Sequence, residues 1–473
     1  MNLDWLRTLV PTKNRQEVIA LLIAGLCFFC VLASYYVIRP IREQFASAAG
    51  GSQALPLLYS LVFATMLLLT PIYGALVSRF SRRIFVPLIY AFFVLCLLGM
   101  GPFFRFSTDL ALNAKVFYVW VSIFNLFVVS IFWSCMADVF DPEQSKRLYG
   151  FVALGGTSGA IAGPLLAKQF VLSVGLNGLY LIATAFLAVA LICLLTLFAR
   201  APSAKLQQVS PQGDTEKQVS PQGDTDKQVS PQGDTDKQVS PQGDTDKQVA
   251  PKRDATTNVS EAALGGSMWE GAIAAFSNPF VRRMALLLLC ADGVATILYS
   301  NLSDYAKSAF TDAVAKTEFF ATVDLWTNCL MIGLQVFAVR WLLSKAGAGR
   351  AMAWPNIFNV CVLLGIAIYA DAALIAVGLI ITRGGGYGLV NPARESLFTR
   401  VSRDVRFKAK AFVDTVVWRG GDLIMVTMVA ALVNLGAGVG TFGVIAAGFA
   451  LAAAALSWNV EQLLPERNLK VKN

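Results

Sequence analysis

The sequence predicts an all-α integral membrane protein of twelve transmembrane helices, arranged as two six-helix bundles. Three observations predict it. Of 473 residues, 56% are apolar and only 15% charged, with a mean hydropathy of +0.59; soluble domains do not have this balance. Apolar stretches of about 18 or more residues, long enough to cross a hydrocarbon core, recur along the chain. The loops between them alternate, basic on one side and nearly uncharged on the other.

In chain order the first half gives spans at 18–46, 55–77, 84–104, 112–136, 149–171 and 177–199. The second half gives 281–306, 318–343, 351–370, 373–392, 412–434 and 440–460. Basic residues mark the loops after spans 2 (Arg79, Arg82, Arg83), 4 (Lys146, Arg147), 8 (Lys345, Arg350) and 10 (Arg400, Arg403, Arg406, Lys408, Lys410). Both termini share that character through Arg7, Lys13, Arg15, Arg467, Lys470 and Lys472, whereas the opposite loops carry Arg105, Lys307 and Lys316. Cytoplasmic loops collect Lys and Arg, so this asymmetry predicts a multi-pass inner-membrane protein with both termini cytoplasmic. It also explains the net charge of +9 without a nucleic-acid partner. No cleavable signal is expected, because the first 17 residues are polar and basic and no small-residue cleavage site follows.

The eight cysteines all fall in or at the ends of apolar stretches, which argues against a disulfide framework. Cys27 and Cys30 have redox or metal spacing, yet they sit in mid-span and the chain has no histidine. They read as small core residues, and neither a metal nor a cofactor is expected. The missing histidine also removes the commonest general base, so the chain does not read as an enzyme.

Three domains follow: an N-terminal bundle (1–200), a linker (201–268) and a C-terminal bundle (269–473). Within the linker, the decapeptide Gln-Val-Ser-Pro-Gln-Gly-Asp-Thr-Asp-Lys repeats through 208–247, its first copy with Glu for the second Asp. Each copy has one valine as its only large apolar residue, too little to support folding, so the linker is expected to be disordered and cytoplasmic. Expansion of a tolerant loop explains it; a binding role is the alternative. Residues 268–278, with Trp269, Ile273 and Phe276, resemble a short surface-lying amphipathic helix. Six spans, a linker and six spans suit a transporter whose halves rock about a central site.

Candidate site residues are charges held inside apolar spans, which are costly there and functional by default. Tyr35-Tyr-Val-Ile-Arg39-Pro-Ile-Arg42-Glu43 closes span 1. These arginines either face a water-filled cavity or snorkel to the headgroups; Pro40, which frees a carbonyl one turn earlier, favours the cavity. Arg383-Gly-Gly-Gly-Tyr-Gly388 puts a cation and four glycines in span 10, for close helix packing or for local unwinding that exposes amides to an anion. A polar loop, Asn391-Pro-Ala-Arg394-Glu395, is expected next. Span 11 opens with Lys408, Lys410, Asp414, Arg419 and Asp422 at helical spacings, facing either an aqueous pathway or a docking partner. In span 7, Asp292 and Asn301-Leu-Ser-Asp304-Tyr-Ala-Lys307 occupy the place that Arg39 to Glu43 holds in span 1.

Gly74-Ala-Leu-Val-Ser78-Arg79-Phe-Ser81-Arg82-Arg83 resembles the loop that major facilitator transporters carry between helices 2 and 3, with Ser78 and Ser81 in place of Asp and Gly. Further motifs resemble the nucleotide transporters that exchange ATP for ADP in plastids and intracellular bacteria. Tyr36-Val-Ile-Arg39-Pro-Ile-Arg42-Glu43 is similar to that family's Y-x-x-L-R-D-x-K-D, and Asn391-Pro-Ala-Arg394-Glu395 to its D-P-T-K-E. Lys408-x-Lys410-Ala-x-Val-Asp414-x-Val-x-x-Arg419-x-Gly421 is similar to K-x-K-A-x-I-D-V-V-x-x-R-x-G. Asn301-Leu-x-Asp304 and Glu143-x-x-Lys146-Arg147-x-Tyr149 add weaker matches.

The resemblance implies that Arg42 holds a substrate-linked position, Asp304 that of an important glutamate, and Lys408 with Lys410 that of a basic pair. The chain departs from the pattern at Pro40, where the family has Asp, and at Arg42, where it has Lys. It also lacks any carboxylate around Trp120 to Asn125. Arginine still forks onto phosphate oxygens, so the implied solute is a nucleotide or another phosphorylated or carboxylated metabolite. The function read from the sequence is therefore alternating-access transport of an organic anion by a monomer in the lipid bilayer. Arg39, Arg42, Arg383, Lys408, Lys410 and Arg419 are expected to bind it, with Glu43, Asp292, Asp304, Asp414 and Asp422 supporting or coupling. Two alternatives remain: a proton-coupled transporter with Asp292 or Asp304 as carrier, and a membrane scaffold that uses the repeat linker.

Overall fold

A computed structural model describes residues 15–79, 82–107, 109–200, 277–398, 400–401 and 413–464. The repeat linker, the amphipathic stretch up to Phe276, the basic termini, and Lys408 and Lys410 lie outside the described residues. So do most side chains of the 74–83 motif and the side chain of Asp414.

Long helices follow one another as the apolar runs predict. In the first half these are α1 (Arg15–Ala48), α2 (Leu55–Arg79), α3 (Arg82–Phe106) and α4 (Leu110–Val139). A helical run Pro142–Arg200 then breaks at Gly175, whose φ of 64° and ψ of −172° are non-helical, giving α5 (142–174) and α6 (176–200). The second half has α7 (Pro279–Ala309), α8 (Ala313–Gly333, continued through Val339–Lys345), α9 (Ala348–Tyr369), α10 (Ala372–Gly385, continued through Asn391–Phe398), α11 (Trp418–Asn434) and α12 (Val439–Trp458). Among the described residues, ten helical runs are long and apolar enough to cross a membrane, the broken run counting as one.

Small residues decide which helices touch. In α5, Gly155, Gly159 and Gly163 recur every fourth residue, and a Cβ added to them would strike the carbonyls of Gly25, Phe29 and Ala33 in α1. The two backbones therefore lie directly against each other. Ser34 Oγ donates to the Ala183 carbonyl of α6 at 2.8 Å, fixing the rotation of α1. In the second half Gly440 and Gly443 of α12 approach the backbone of Ala367 in α9 in the same way. α1 is thus a rigid rail, and the residues past its midpoint face the second half of the molecule.

One alternative is settled and one expectation changes. Of the two readings of the glycine run in span 10, close packing holds and unwinding does not: α10 widens into a π-helical turn at Gly386–Val390 and stays helical. Its amides remain in helix hydrogen bonds, while Gly384 and Gly388 make room for Leu330 and Leu334 of α8. The polar loop expected at Asn391 is helical: Asn391–Phe398 continues directly from the π turn, with Pro392 inside the run.

Candidate functional site

α1, α2, α4, α7, α10 and α11 line a cavity of about 600 Å³ between the two halves. Helical spacing in α1 turns Tyr36, Arg39 and Arg42 toward it. Arg39 is 8% exposed and lies between two carboxylates. Its Nε is 3.8 Å from Glu43 Oε1 and its Nη1 is 3.4 Å from Asp324 Oδ1 in α8. Arg42 Nη2 reaches Glu43 Oε1 at 2.5 Å. The Tyr299 hydroxyl of α7 donates to Glu43 Oε2. Glu43 therefore gathers two cations and a phenol from both halves. Charges this deeply buried stand only with such partners.

Aromatic faces hold the remaining sides of the guanidiniums. Arg39 stands 5.5 Å from the Tyr36 ring centroid, Arg42 4.9 Å from Tyr118 and Arg383 5.1 Å from Tyr299. Arg383, carried on the last α-helical turn before the π turn, forms no ion pair among the described residues. Opposite α1, Trp418 Nε1 donates to Asp292 Oδ1 at 3.0 Å. Asp422 also lines the cavity, its Oδ2 3.8 Å from Arg419 Nη1. Arg394, buried on the helical extension of α10, pairs with Glu395 at 3.2 Å.

The structure brings together Arg39, Arg42, Arg383, Arg419, Asp292 and Asp422 at the cavity, with Glu43 behind them. Asp304 is not among the lining residues. It accepts the Ser52 N–H at 2.7 Å, in the turn after α1. Beside it Ser47 Oγ donates to the Ser303 carbonyl at 2.7 Å and Lys307 Nζ to the Gly50 carbonyl at 3.3 Å. Asp304 therefore fastens the halves together at the end where α1 and α7 finish.

Sequence reasoning missed Asp324, Arg394 and the tyrosines. Asp324 carried a usable signal, a carboxylate well inside an apolar span. Tyr36, Tyr59, Tyr118 and Tyr299 did not, because an aromatic that lines a cavity has the same spacing as one that fills a core.

The Major Facilitator Superfamily family model matches residues 21–420. Among solved structures the nucleoside transporter NupG aligns with TM-score 0.60 at 12% identity, covering 95% of this chain and 100% of that one. A bacterial homologue of the iron transporter ferroportin, in an inward-facing state, aligns with TM-score 0.57 at 13% identity, over 95% and 100% of the two chains. A bacterial homologue of the human lysosomal transporter Spinster, inward-facing and unoccupied, gives TM-score 0.55 at 13% identity, over 96% and 98%. At these identities the likeness is one of fold. No curated protein matches the chain.

Proposed function

This chain belongs to the Major Facilitator Superfamily, and from that premise we propose that it is a monomeric carrier for an organic anion of the nucleotide class. The observation that carries this reading is the cavity lining. Arg39, Arg42, Arg383, Arg394 and Arg419 converge there, and only Asp292 and Asp422 among the described lining residues are acidic. The lower dielectric between the helices strengthens each cation's hold on phosphate or carboxylate oxygens relative to bulk water. Tyrosine faces beside the guanidiniums suit a planar ring on the same ligand.

Alternating access follows from how the charges are tied. Arg39 joins Asp324, and Glu43 joins Tyr299, across the halves. An anion that enters and engages Arg39 and Arg42 competes with Glu43 and Asp324 for them. It therefore loosens the contact that holds that end shut. A ligand moves such an equilibrium only through a difference in affinity between states, and this competition supplies one. With the basic loops and both termini cytoplasmic in an inner membrane, the closed end faces outward and the cavity opens inward. The two inward-facing fold neighbours are consistent with that assignment.

The test is a thermal-shift screen of the purified protein against nucleotides and small organic anions, since a ligand of the folded state raises its stability by mass action. The hit is then carried into exchange assays in proteoliposomes. The reading fails if only uncharged or cationic solutes stabilise the protein. One observation favours a second reading. Asp292 and Asp422 are the carboxylates among the described lining residues, and the buried Asp292 Oδ2 has no hydrogen-bond partner, which suits a carrier for a coupled proton. Uptake that collapses with the pH gradient, instead of running by exchange alone, selects it.

A further inference from the structure

The two halves are built differently inside. In the first half one buried core runs unbroken from Leu21 near the start of α1 to Phe45 near its finish. The second half has two cores that share no residue. One lies toward the fastened end and reaches into the first half at Leu55 and Leu58. The other holds the opposite end together, with Phe280 and Met284 of α7, Met352 of α9 and Phe398 of α10.

The interval between these cores shows on each helix. In α7 one core ends at Leu287 and the other begins at Val294; in α9 the limits are Met352 and Leu363, and in α10 Val390 and Leu379. A recess of about 100 Å³ occupies this interval, lined in part by Asp292, Pro355, Asn356, Thr382, Gly386 and Trp418. It opens onto the cavity, with which it shares Asp292, Arg383, Tyr387 and Trp418.

The backbone is irregular at the same level. α8 has a π turn at Leu334–Ala338, α10 has one at Gly386–Val390, and another at Val413–Val417 leads into α11. Gln335 Nε2 donates to the Tyr387 carbonyl at 3.2 Å, so the first two lie side by side. In α9, Pro355 has no N–H to give the Ala351 carbonyl. Among the described residues the first half contains no π turn. Helices bend at π turns, but a close-packed interior yields only where it has room. Here the bending points and the room coincide.

We propose that the block beyond this level, built on the core of Phe280, Met352 and Phe398, is a lid that swings about these π turns to close the open end of the cavity. This lid presupposes the alternating-access reading and specifies which part moves: one segment of one half, instead of two whole bundles. Bending toward the cavity shortens the side on which the recess opens, so the recess is the space the swing consumes. Arg394, which lines the cavity from the block, is carried across the mouth with it. A swing of about 20° moves the tip of the 8-residue segment Asn391–Phe398 by about 4 Å.

The test measures distances by pulsed electron spin resonance between encoded spin-label residues, using the full chain in nanodiscs. Three pairs serve: Ala137 with Arg400 across the mouth, Tyr369 with Arg400 within the second half, and Arg105 with Ala137 within the first. All four positions are exposed. Closure is driven without ligand by Gly51→Ala. Gly51 stands at φ +64° and an added Cβ would strike the Asp304 carboxylate, so this change loosens the fastening at the other end. The expected result is a shorter 137–400 distance and a shift of about 4 Å in 369–400, with 105–137 unchanged. Gly386 lines the recess, and a Cβ there meets nothing within 4 Å, so Gly386→Leu fills the recess without disturbing the open form. Added to Gly51→Ala, it is expected to hold 369–400 at the parent distance and to remove most of the change in 137–400. Gly386→Ala, a smaller filling, removes part of it, and Gly448→Leu on the exposed side of α12 removes none. If 137–400 shortens while 369–400 stays fixed, the halves rock as rigid bodies and the lid falls alone. A shift that Gly386→Leu leaves intact overturns the lid as well. If no distance moves in any variant, alternating access falls with the lid; the anion reading is judged separately, by the thermal-shift screen.

Discussion

α1 and α7 open the two halves and carry charged stretches at matching places, Arg39 to Glu43 in one and Asn301 to Lys307 in the other. Folded, they do different work. The α1 stretch faces the cavity, and Glu43 and Asp324 hold its arginines. The α7 stretch instead clasps the turn after α1, through Asp304 on Ser52 and Lys307 on Gly50. What α7 gives the cavity comes earlier, as Asp292, Thr296 and Tyr299. The difference teaches that corresponding positions in two repeats are not equivalent once the halves meet. One helix supplies the charges of a site, and the other supplies the fastening that closes one end of it.

The largest expected effect tests whether the α1 charges form one buried unit. Asp324→Ala leaves Arg39 with one carboxylate, 3.8 Å away, in a setting where both side chains are at most a tenth exposed. Orphaning a buried charge costs about 3–5 kcal/mol. Asp324→Ala is therefore expected to lower the unfolding temperature sharply, and Asp324→Ala with Arg39→Ala to be less damaging than the two single losses added together. Thermal unfolding of the three variants checks it, and strict additivity breaks the unit.

Next in size is the contrast between Arg42 and Arg105. Arg42 lines the cavity, and its side chain is 15% exposed. Arg105 is exposed in the last turn of α3. A hydrogen bond to a charged partner is worth about 1.5–3 kcal/mol, so Arg42→Ala is expected to weaken anion binding by roughly 10- to 100-fold. Arg105→Ala, screened by solvent, is expected to change it by less than about twofold. Titration of each variant with the anion found by thermal shift measures both. Equal effects return Arg42 to the headgroups.

Much of this was legible in advance, for a physical reason. The cost of a polar backbone in lipid forces long apolar helices, so span positions can be read from hydropathy alone. Arg39, Arg42, Arg383 and Arg419 could be singled out because a cation in such a span stands against a uniform background. Asp324 had that contrast too, but its meaning came only from its partner in the other half, and pairing between halves leaves no trace in local spacing. The recess wall was less legible still. Asn356 and Thr382 bond to carbonyls four residues back in their own helices, which a sequence cannot distinguish from ordinary polar residues. The role of Asp304 depended on the turn at 50–53, whose geometry rests on Gly51 at φ +64°.

The smallest expected effect bears on that turn and separates fastening from site most cleanly. Asp304 accepts one backbone N–H from Ser52, and Gly51 lies so close that an added Cβ would meet the Asp304 carboxylate. Asp304→Ala removes the acceptor but leaves every cavity residue in place. A single hydrogen bond of this kind is worth about 1 kcal/mol. That shifts the balance between closed and open states by several-fold and leaves fold stability nearly intact. Faster hydrogen exchange is therefore expected at the amides of 50–54, with anion affinity altered only as far as the balance of states has moved. Asp304→Asn keeps an acceptor oxygen and is expected to restore most of the protection. Gly51→Ala, strained in its backbone and crowding the carboxylate, is expected to open the turn more than Asp304→Ala does. If Asp304→Ala instead weakens anion binding as much as Arg42→Ala while exchange at 50–54 is unchanged, Asp304 belongs to the binding site. The two opening helices would then be equivalent after all.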